Sequence, residues 1–238
     1  MDAAGAASLN LLILAALALV VGVVTGVVGA LFRLTLEQAD RLRDLAIGWA
    51  HGQSSLGFLL VVAAGSAAAL VAAWLVRRFA PHASGSGIPH VEAVLRKEVA
   101  PAPYVLLPVK FVGGVLAIGS GLALGREGPS VQMGASIGHL VSEVARRAWP
   151  DCRVLIAAGA GAGLATAFNA PIAGAIFVLE ELVRRFEHRI AIAALAASAT
   201  AIAVARALIG DAPDFTVAAL DPVAPLGQPL FLLSLIHI

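Results

Sequence analysis

Three long stretches without a charged side chain constrain the fold of this chain more than any other feature of its sequence. Residues 3–32, 45–76 and 154–179 contain no Asp, Glu, Lys or Arg. Each stretch is longer than the roughly 20 residues that a helix needs to cross a hydrocarbon core about 30 Å thick. The chain as a whole is 60% hydrophobic and 13% charged, far from the composition of a soluble domain. We therefore expect a multi-pass protein of the plasma membrane, surrounded by lipid bilayer.

The same composition excludes several other classes of protein. Intrinsic disorder does not fit so apolar a chain, and a net charge of +1 without a basic stripe argues against nucleic-acid binding. Cys152 is the single cysteine, so no intrachain disulfide can form. The histidines lack metal-ligand spacing, and no metal site or cofactor is expected. The apolar stretch from Leu9 to Phe32 follows no basic segment and is too long for a signal peptide, which indicates a retained anchor helix.

The long apolar runs lack the period-2 alternation of barrel strands, so the predicted fold is all-α, a polytopic bundle of tilted and broken helices. The predicted helices cover residues 9–33 with a possible extension to about 46, 55–78, 104–122, 128–146, 151–168, 171–186 and 189–209, with another starting near 226.

Pairs of glycines four residues apart predict close helix packing. They are Gly22/Gly26, Gly121/Gly125, Gly134/Gly138 and Gly159/Gly163. Small residues at this spacing let two helix backbones approach each other in lipid.

Lysine and arginine concentrate on the cytoplasmic side of membrane proteins. The two groups that flank the second uncharged stretch are Arg33, Arg41 and Arg43 before it, and Arg77, Arg78, Arg96 and Lys97 after it. The difference predicts an N-terminus inside, a loop over 33–54 outside and residue 77 inside.

Three segments combine a polar residue, one or two small or apolar residues and then proline at the start of an apolar helix. They are Ser86-Gly87-Ile88-Pro89, Glu127-Gly128-Pro129 and Asn169-Ala170-Pro171. Proline in the first turn and a Ser or Asn cap are typical of helix starts, so some helices are expected to begin within the membrane. The free N–H groups and positive dipole end of such a start attract anions, although simple turns between short helices would show the same pattern.

Glu127 is an acid beside one of these helix starts, between two long uncharged stretches. Carboxylates within the membrane are costly and usually functional. Its carboxylate would occupy the position of an anion and would release it on protonation. Glu180 and Glu181 end another uncharged run, but the charged residues that follow also fit a solvated helix end.

The three segments read GSGIPHVEAVL (85–95), GREGPSVQMGASIG (125–138) and AAGAGAGLATAFNAPIAGAIFVLEEL (157–182). In this order they resemble the CLC family of chloride channels and chloride/proton antiporters. The resemblance implies that residues 1–210 form the first of two inverted repeats, and that residues 211–238 form a linker and the start of a truncated second repeat. It also implies a homodimer in which each subunit has its own pathway.

The resemblance assigns roles to individual residues. Ser86 matches the chloride-coordinating serine, with the backbone amides of Gly87 and Ile88 nearby. Glu127 matches the external gating glutamate, at the anion-path helix start formed by Gly125, Arg126, Gly128 and Pro129. Glu181 matches the internal proton-transfer glutamate of the antiporters. His90 departs from the family pattern, in which an acid is common.

The function implied is transmembrane chloride transport, most simply chloride/proton antiport. A passive chloride channel of the same fold is the alternative. A remote alternative is an intramembrane serine protease that uses Ser84 or Ser86 with His139 or His188 as the base. A third possibility is that the chain by itself is inactive, because it forms only half of an anion pathway.

Overall fold

A computed structural model describes residues 3–53 and 55–211, with only the backbone described for residues 3–9. Most of the described residues are helical, with no strand among them. The eight α-helices are α1 (Ala3–His51), α2 (Ser55–Phe79), α3 (Ile88–Leu95), α4 (Leu106–Gly119), α5 (Glu127–Val144), α6 (Trp149–Phe168), α7 (Pro171–Phe177) and α8 (His188–Ile209). A short 3₁₀ turn occupies Pro81–Ala83, and a π-helical turn over Val178–Val183 extends α7.

Four of the helices are long and apolar enough to cross a membrane, and they lie in Asn10–His51, Ser55–Phe79, Trp149–Phe168 and His188–Ile209. The shorter apolar helix Leu106–Gly119 accompanies them. The predicted all-α, multi-pass architecture is confirmed. The helix expected near residue 226 and the segment 211–238 fall almost wholly outside the described residues.

The prediction of a loop over 33–54 is wrong, because α1 continues without a break to His51. Charged side chains on this part of α1 pair along the helix, Arg33 with Glu37 at 2.9 Å and Arg43 with Asp40 at 2.8 Å. Such spacing stabilises a helix at the membrane edge. With 49 residues at about 1.5 Å each, α1 is more than twice as long as the hydrocarbon core is thick, about 30 Å.

Helix α6 lies at the centre of the bundle, and every residue from Val154 to Ala167 is buried. It packs against α5, α8 and α1. The contact with α5 is made backbone to backbone, since a Cβ on Gly134 would lie 2.9 Å from the carbonyl carbon of Gly159. A Cβ on Gly163 would similarly lie 2.7 Å from the carbonyl carbon of Ser130. Close packing is thus confirmed for Gly134/Gly138 and Gly159/Gly163.

Of the other two glycine pairs, one makes a close helix contact and the other does not. Gly22 and Gly26 lie in α1 against α8, where a Cβ would come within 2.5 Å of the Ala197 carbonyl oxygen and 2.6 Å of that of Ala201 respectively. The prediction for Gly121/Gly125 is wrong, because both residues lie in the link between α4 and α5, and Gly121 has φ +96°.

Candidate functional site

An open cavity of about 650 Å³ lies where two of the three interrupted segments of the sequence meet, those around Ser86 and Glu127. We call it the central cavity. Its wall is formed by α2, α4, the loop before α3 and the start of α5, and includes Ser84, Gly85, Ser86, Lys110, Gly125, Glu127, Gly128 and Pro129. Ser86 and most of the predicted helix start around Glu127 therefore line one space.

Ser86 precedes α3, whose N-terminal flanking residue is Gly87. Gly87 has φ +89°, a left-handed conformation that favours glycine. A Cβ at this position would also lie within 2.9 Å of Gln132 side-chain atoms. No side chain caps α3, so Ser86 does not act as the expected cap. The first-turn amides of α3 therefore have no side-chain cap, although Gly87 and Ile88 are not among the residues that line the central cavity.

The start of α5 lies directly against Ser86. A Cβ on Gly128 would be 2.5 Å from both the carbonyl oxygen and the hydroxyl oxygen of Ser86, and 3.0 Å from its Cα. Glycine is thus required here for close approach. The N-terminal ends of two helices and one hydroxyl group therefore converge, which is an arrangement that favours an anion.

Glu127 is the first residue of α5, and its side chain is half-buried. Its carboxyl carbon would lie 3.0 Å from a Cβ on Gly125, so the carboxylate folds back over that glycine at the cavity wall. Arg126 flanks the helix, and its carbonyl oxygen accepts hydrogen bonds from the Ser130 amide at 3.1 Å and hydroxyl at 2.8 Å. A carboxylate is electrostatically favoured at this positive helix end.

Lys110 is a part of the site that the sequence reasoning missed. It lies in α4 with only 4% of its surface exposed. Its ammonium group donates hydrogen bonds to the carbonyl oxygens of Ala83 at 2.9 Å and Gly85 at 2.7 Å. The signal was present as a lone cation in the apolar segment LLPVKFVGG, because charged residues within membrane helices usually have a specific partner.

Gln132 was also missed, and it holds the same loop from the side of α5. It is 1% exposed, and its amide nitrogen donates to the carbonyl oxygen of His82 at 2.7 Å. The same nitrogen lies 3.4 Å from Nδ1 of His90. His90, the position that departs from the family pattern, therefore faces α5.

Glu181 does not line the central cavity. It lies in the π-helical turn, which packs against α3, and its side chain is exposed. Arg184, just after this turn, forms an ion pair with Glu92 of α3 at 3.1 Å. An eight-residue helix is about 12 Å long, so α3 separates Ser86 at its start from the turn that carries Glu181. The predicted continuous α-helix to residue 186 is wrong, since α7 widens after Phe177.

The third interrupted segment lies away from the central cavity. Asn169 ends α6 with φ +54°, and its side-chain oxygen accepts a hydrogen bond from Arg206 at 3.0 Å. The residue flanking α7 is Ala170, without a side-chain cap. The expected cap by Asn169 is therefore wrong, although α7 does begin at Pro171.

The arrangement needed for a serine protease is not assembled. Ser84 and Ser86 line the central cavity, whereas His139 lines a separate cavity beside Gln132. His188 packs against the ring of Phe186, with a centroid distance of 5.0 Å.

Comparisons with known proteins show which family the chain is similar to. Residues 68–236 match the family model described as voltage gated chloride channel. The H⁺/Cl⁻ exchange transporter ClcA of Salmonella typhi is 42% identical over 176 residues, which cover 73% of this chain and 37% of that protein. ClcA of Yersinia pseudotuberculosis serotype O:3 is 40% identical over 178 residues, covering 74% and 37%.

Two solved structures are similar in fold. A slow cyanobacterial Cl⁻/H⁺ antiporter matches with a TM-score of 0.79 and 35% identity, covering 92% of this chain and 52% of that one. A CLC-type fluoride/proton antiporter matches with a TM-score of 0.75 and 27% identity, covering 96% and 55%. The match covers 37% of the length of the curated relatives.

Proposed function

Because the chain belongs to the CLC family of voltage gated chloride channels, we propose that it acts in transmembrane chloride transport coupled to the counter-movement of protons. The observation that carries this proposal is the convergence of Ser86 and the start of α5 on one cavity, with Glu127 beside them. Similarity to proteins named exchange transporters supports antiport over a passive channel. No cofactor is needed, since chloride and protons are the only species moved.

In this proposal Ser86 donates its hydroxyl hydrogen to chloride, and the amides of Gly87 and Ile88 add further donors. Ionised Glu127 occupies the anion position at α5 and blocks it. When Glu127 takes up a proton, its charge is removed and chloride can enter. The same residue thus couples the position of the anion to the position of the proton.

Glu181 would exchange protons with the opposite membrane face. Its exposure and its position beyond α3 support a proton path that diverges from the chloride path. Arg126, Gly128 and Pro129 act by shaping the start of α5 rather than by binding protons.

We include a homodimer in the proposal. Apolar side chains of α7 and α8 are exposed at Ile172, Ile176, Ile192 and Leu195, which supports either a partner surface or lipid contact. Native mass spectrometry of the chain in a mild detergent would distinguish a dimer from a monomer.

The test of transport is made with the chain reconstituted in liposomes, with chloride and proton movements recorded together. A chloride gradient should drive protons in the opposite direction. Glu127→Gln should abolish proton movement while chloride flux persists, and Glu181→Gln should do the same. Glu98→Gln removes an exposed carboxylate elsewhere and should leave coupling intact.

Unchanged coupling in Glu127→Gln would contradict the role of that residue. Chloride movement without protons in the unmodified chain would favour the channel. Absence of both movements would contradict transport by this chain alone.

A further inference from the structure

A second, larger cavity of about 930 Å³ opens where α3 ends and where α6 and α8 begin. We call it the basic bowl. The charged residues in its wall are five cations and one carboxylate, namely Arg96, Lys97, Arg153, Arg185, Arg189 and Glu187. None of them lines the central cavity, and the transport proposal does not use this space.

The carboxylates near the basic bowl do not balance its cations, because Glu187 and Asp151 are each shared by two arginines. Glu187 accepts hydrogen bonds from Arg153, at 2.9 Å, and from Arg185. Asp151, behind the wall, lies 2.5 Å from both Arg147 and Arg189.

Glu92 follows the same pattern, with Arg96 at 2.5 Å and Arg184 at 3.1 Å. Glu98 also lies 4.0 Å from Arg96, so the group around Glu92 is balanced. The groups around Glu187 and Asp151 each leave one positive charge without a counter-charge. These shared pairs also hold the guanidinium groups in place, so less ordering is needed when an anion binds.

Lys97 adds a further charge at the rim. Its ammonium nitrogen lies 5.5 Å from the centre of the Trp149 ring, a cation–π contact that leaves its N–H groups free to face an anion. Two helices of 20 and 22 residues also begin in this wall, at Trp149 and His188. Their N-terminal amides and dipoles add to the same positive field.

The position of the basic bowl relative to the bilayer indicates the source of the anion. Since α6 and α8 have the length and composition of membrane-spanning helices, we infer that their first residues lie at a membrane surface. A tryptophan such as Trp149 is typical of that level. Basic pockets between membrane helices bind the head groups of anionic lipids.

We propose that the basic bowl binds a phosphate group, supplied by the head group of an anionic phospholipid. Guanidinium groups suit phosphate because they donate two parallel hydrogen bonds to it. Free inorganic phosphate offers the same chemistry from solution, and the experiment separates the two sources.

The test uses the purified chain with Trp49→Phe and Trp74→Phe, so that Trp149 is the only remaining tryptophan. Short-chain phosphatidylglycerol, short-chain phosphatidylcholine and inorganic phosphate are titrated separately while Trp149 fluorescence is followed. Native mass spectrometry counts bound molecules independently of the fluorophore. Phosphatidylglycerol should bind more tightly than phosphatidylcholine, and salt should weaken it.

Lys97→Ala and Arg185→Ala should each weaken phosphatidylglycerol binding about tenfold, as expected for one charge-assisted hydrogen bond. Both side chains are exposed, so the fold should persist, and Arg185→Lys should retain part of the binding. Arg78→Ala is the matched control, because Arg78 is exposed and lies outside the basic bowl.

Binding of phosphatidylglycerol alone would support the lipid source. Binding of inorganic phosphate with similar affinity would support the phosphate site with a soluble source. Equal binding of phosphatidylcholine and phosphatidylglycerol, or no loss in the Lys97→Ala/Arg185→Ala double variant, would overturn the proposal. These binding results do not bear on proton coupling in the liposome assay, so the lipid proposal and the transport proposal can fail separately.

Discussion

At the scale of the residue, Lys110 fixes the shape of the central cavity although it was not recognised in the sequence. Its two hydrogen bonds reach carbonyl groups on either side of Ser84. The loop that presents Ser86 is thus held from behind by a buried cation. A side chain in this position acts on the anion indirectly, by positioning the loop and by its charge.

Lys110→Met should therefore destabilise the chain by about 3 kcal/mol, since two carbonyl groups lose a charged donor. Thermal unfolding in detergent, followed by circular dichroism, measures this loss. The chain has one other lysine, and Lys97→Met should change stability by less than about 0.5 kcal/mol because that side chain is exposed. Equal losses in the two variants would show that the loop is not held by Lys110.

Some residues of the candidate site could be predicted from the sequence, and others could not. Ser86, Glu127 and Gly128 were recognised because proline and glycine mark helix starts and because an acid within apolar sequence is costly. Gln132 was not, since its importance depends on the His82 carbonyl oxygen, fifty residues away along the chain. A pairing of that kind is set by how helices pack and leaves no local pattern.

At the scale of the element, the contact of α5 with Ser86 requires a glycine. Gly128→Ala should push the start of α5 away from Ser86, because the new Cβ would meet backbone and hydroxyl oxygens at 2.5 Å. We expect at least about a tenfold loss of chloride affinity, equivalent to about 1.4 kcal/mol, measured by isothermal titration calorimetry. Gly48→Ala is the control, since no atom lies within 4 Å of its Cβ. Unchanged chloride affinity in Gly128→Ala would show that the contact between α5 and Ser86 does not form the anion site.

The contact between α5 and α6 makes a second prediction. Gly134→Ala should cost about 3 kcal/mol or more, because the backbone of α6 cannot move aside as a flexible side chain could. Gly113→Ala, whose Cβ would lie 3.8 Å from the nearest side-chain atom of Val76, should be tolerated. Unfolding of the three proteins in increasing denaturant gives the comparison. A Gly134→Ala protein as stable as the parent chain would show that these helices can separate.

Helix positions were predictable where the apolar runs are long, and less so where charge and backbone geometry compete. The end of α1 was missed because charged residues suggested a loop, whereas Arg33 and Glu37 pair along one helix. The π-helical turn after Phe177 was missed because its residues, VLEELV, include no proline or glycine that would distinguish it from an α-helix. Gly121/Gly125 shows that a glycine spacing alone does not establish a helix contact.

At the scale of the whole molecule, stability should depend on acid pH through Glu187, which lies outside the spanning helices. Burial alone would raise the pKa of Glu187, but hydrogen bonds and charges from Arg153 and Arg185 outweigh it and lower the pKa. Its contribution is therefore present above the unfolded pKa of about 4.3 and is lost as pH falls toward the lower folded value.

Glu187→Gln should lower stability at neutral pH by up to about 1 kcal/mol and reduce the further loss in acid. Thermal midpoints measured from neutral to acid pH give both quantities. Glu98→Gln controls for the removal of a surface carboxylate. If the thermal midpoint falls as steeply in acid for Glu187→Gln as for the parent chain, the loss of stability in acid comes from other groups.

The direct backbone contact between α5 and α6 also has a kinetic consequence. Helices that touch through Gly134 and Gly159 can move only together, and collective motions of that kind take microseconds to milliseconds. The Glu127 side chain at the edge of this pair can change its rotamer without a movement of either helix. If the side chain alone opens the path, the turnover rate of the proposed transporter is set by how often its carboxylate captures a proton.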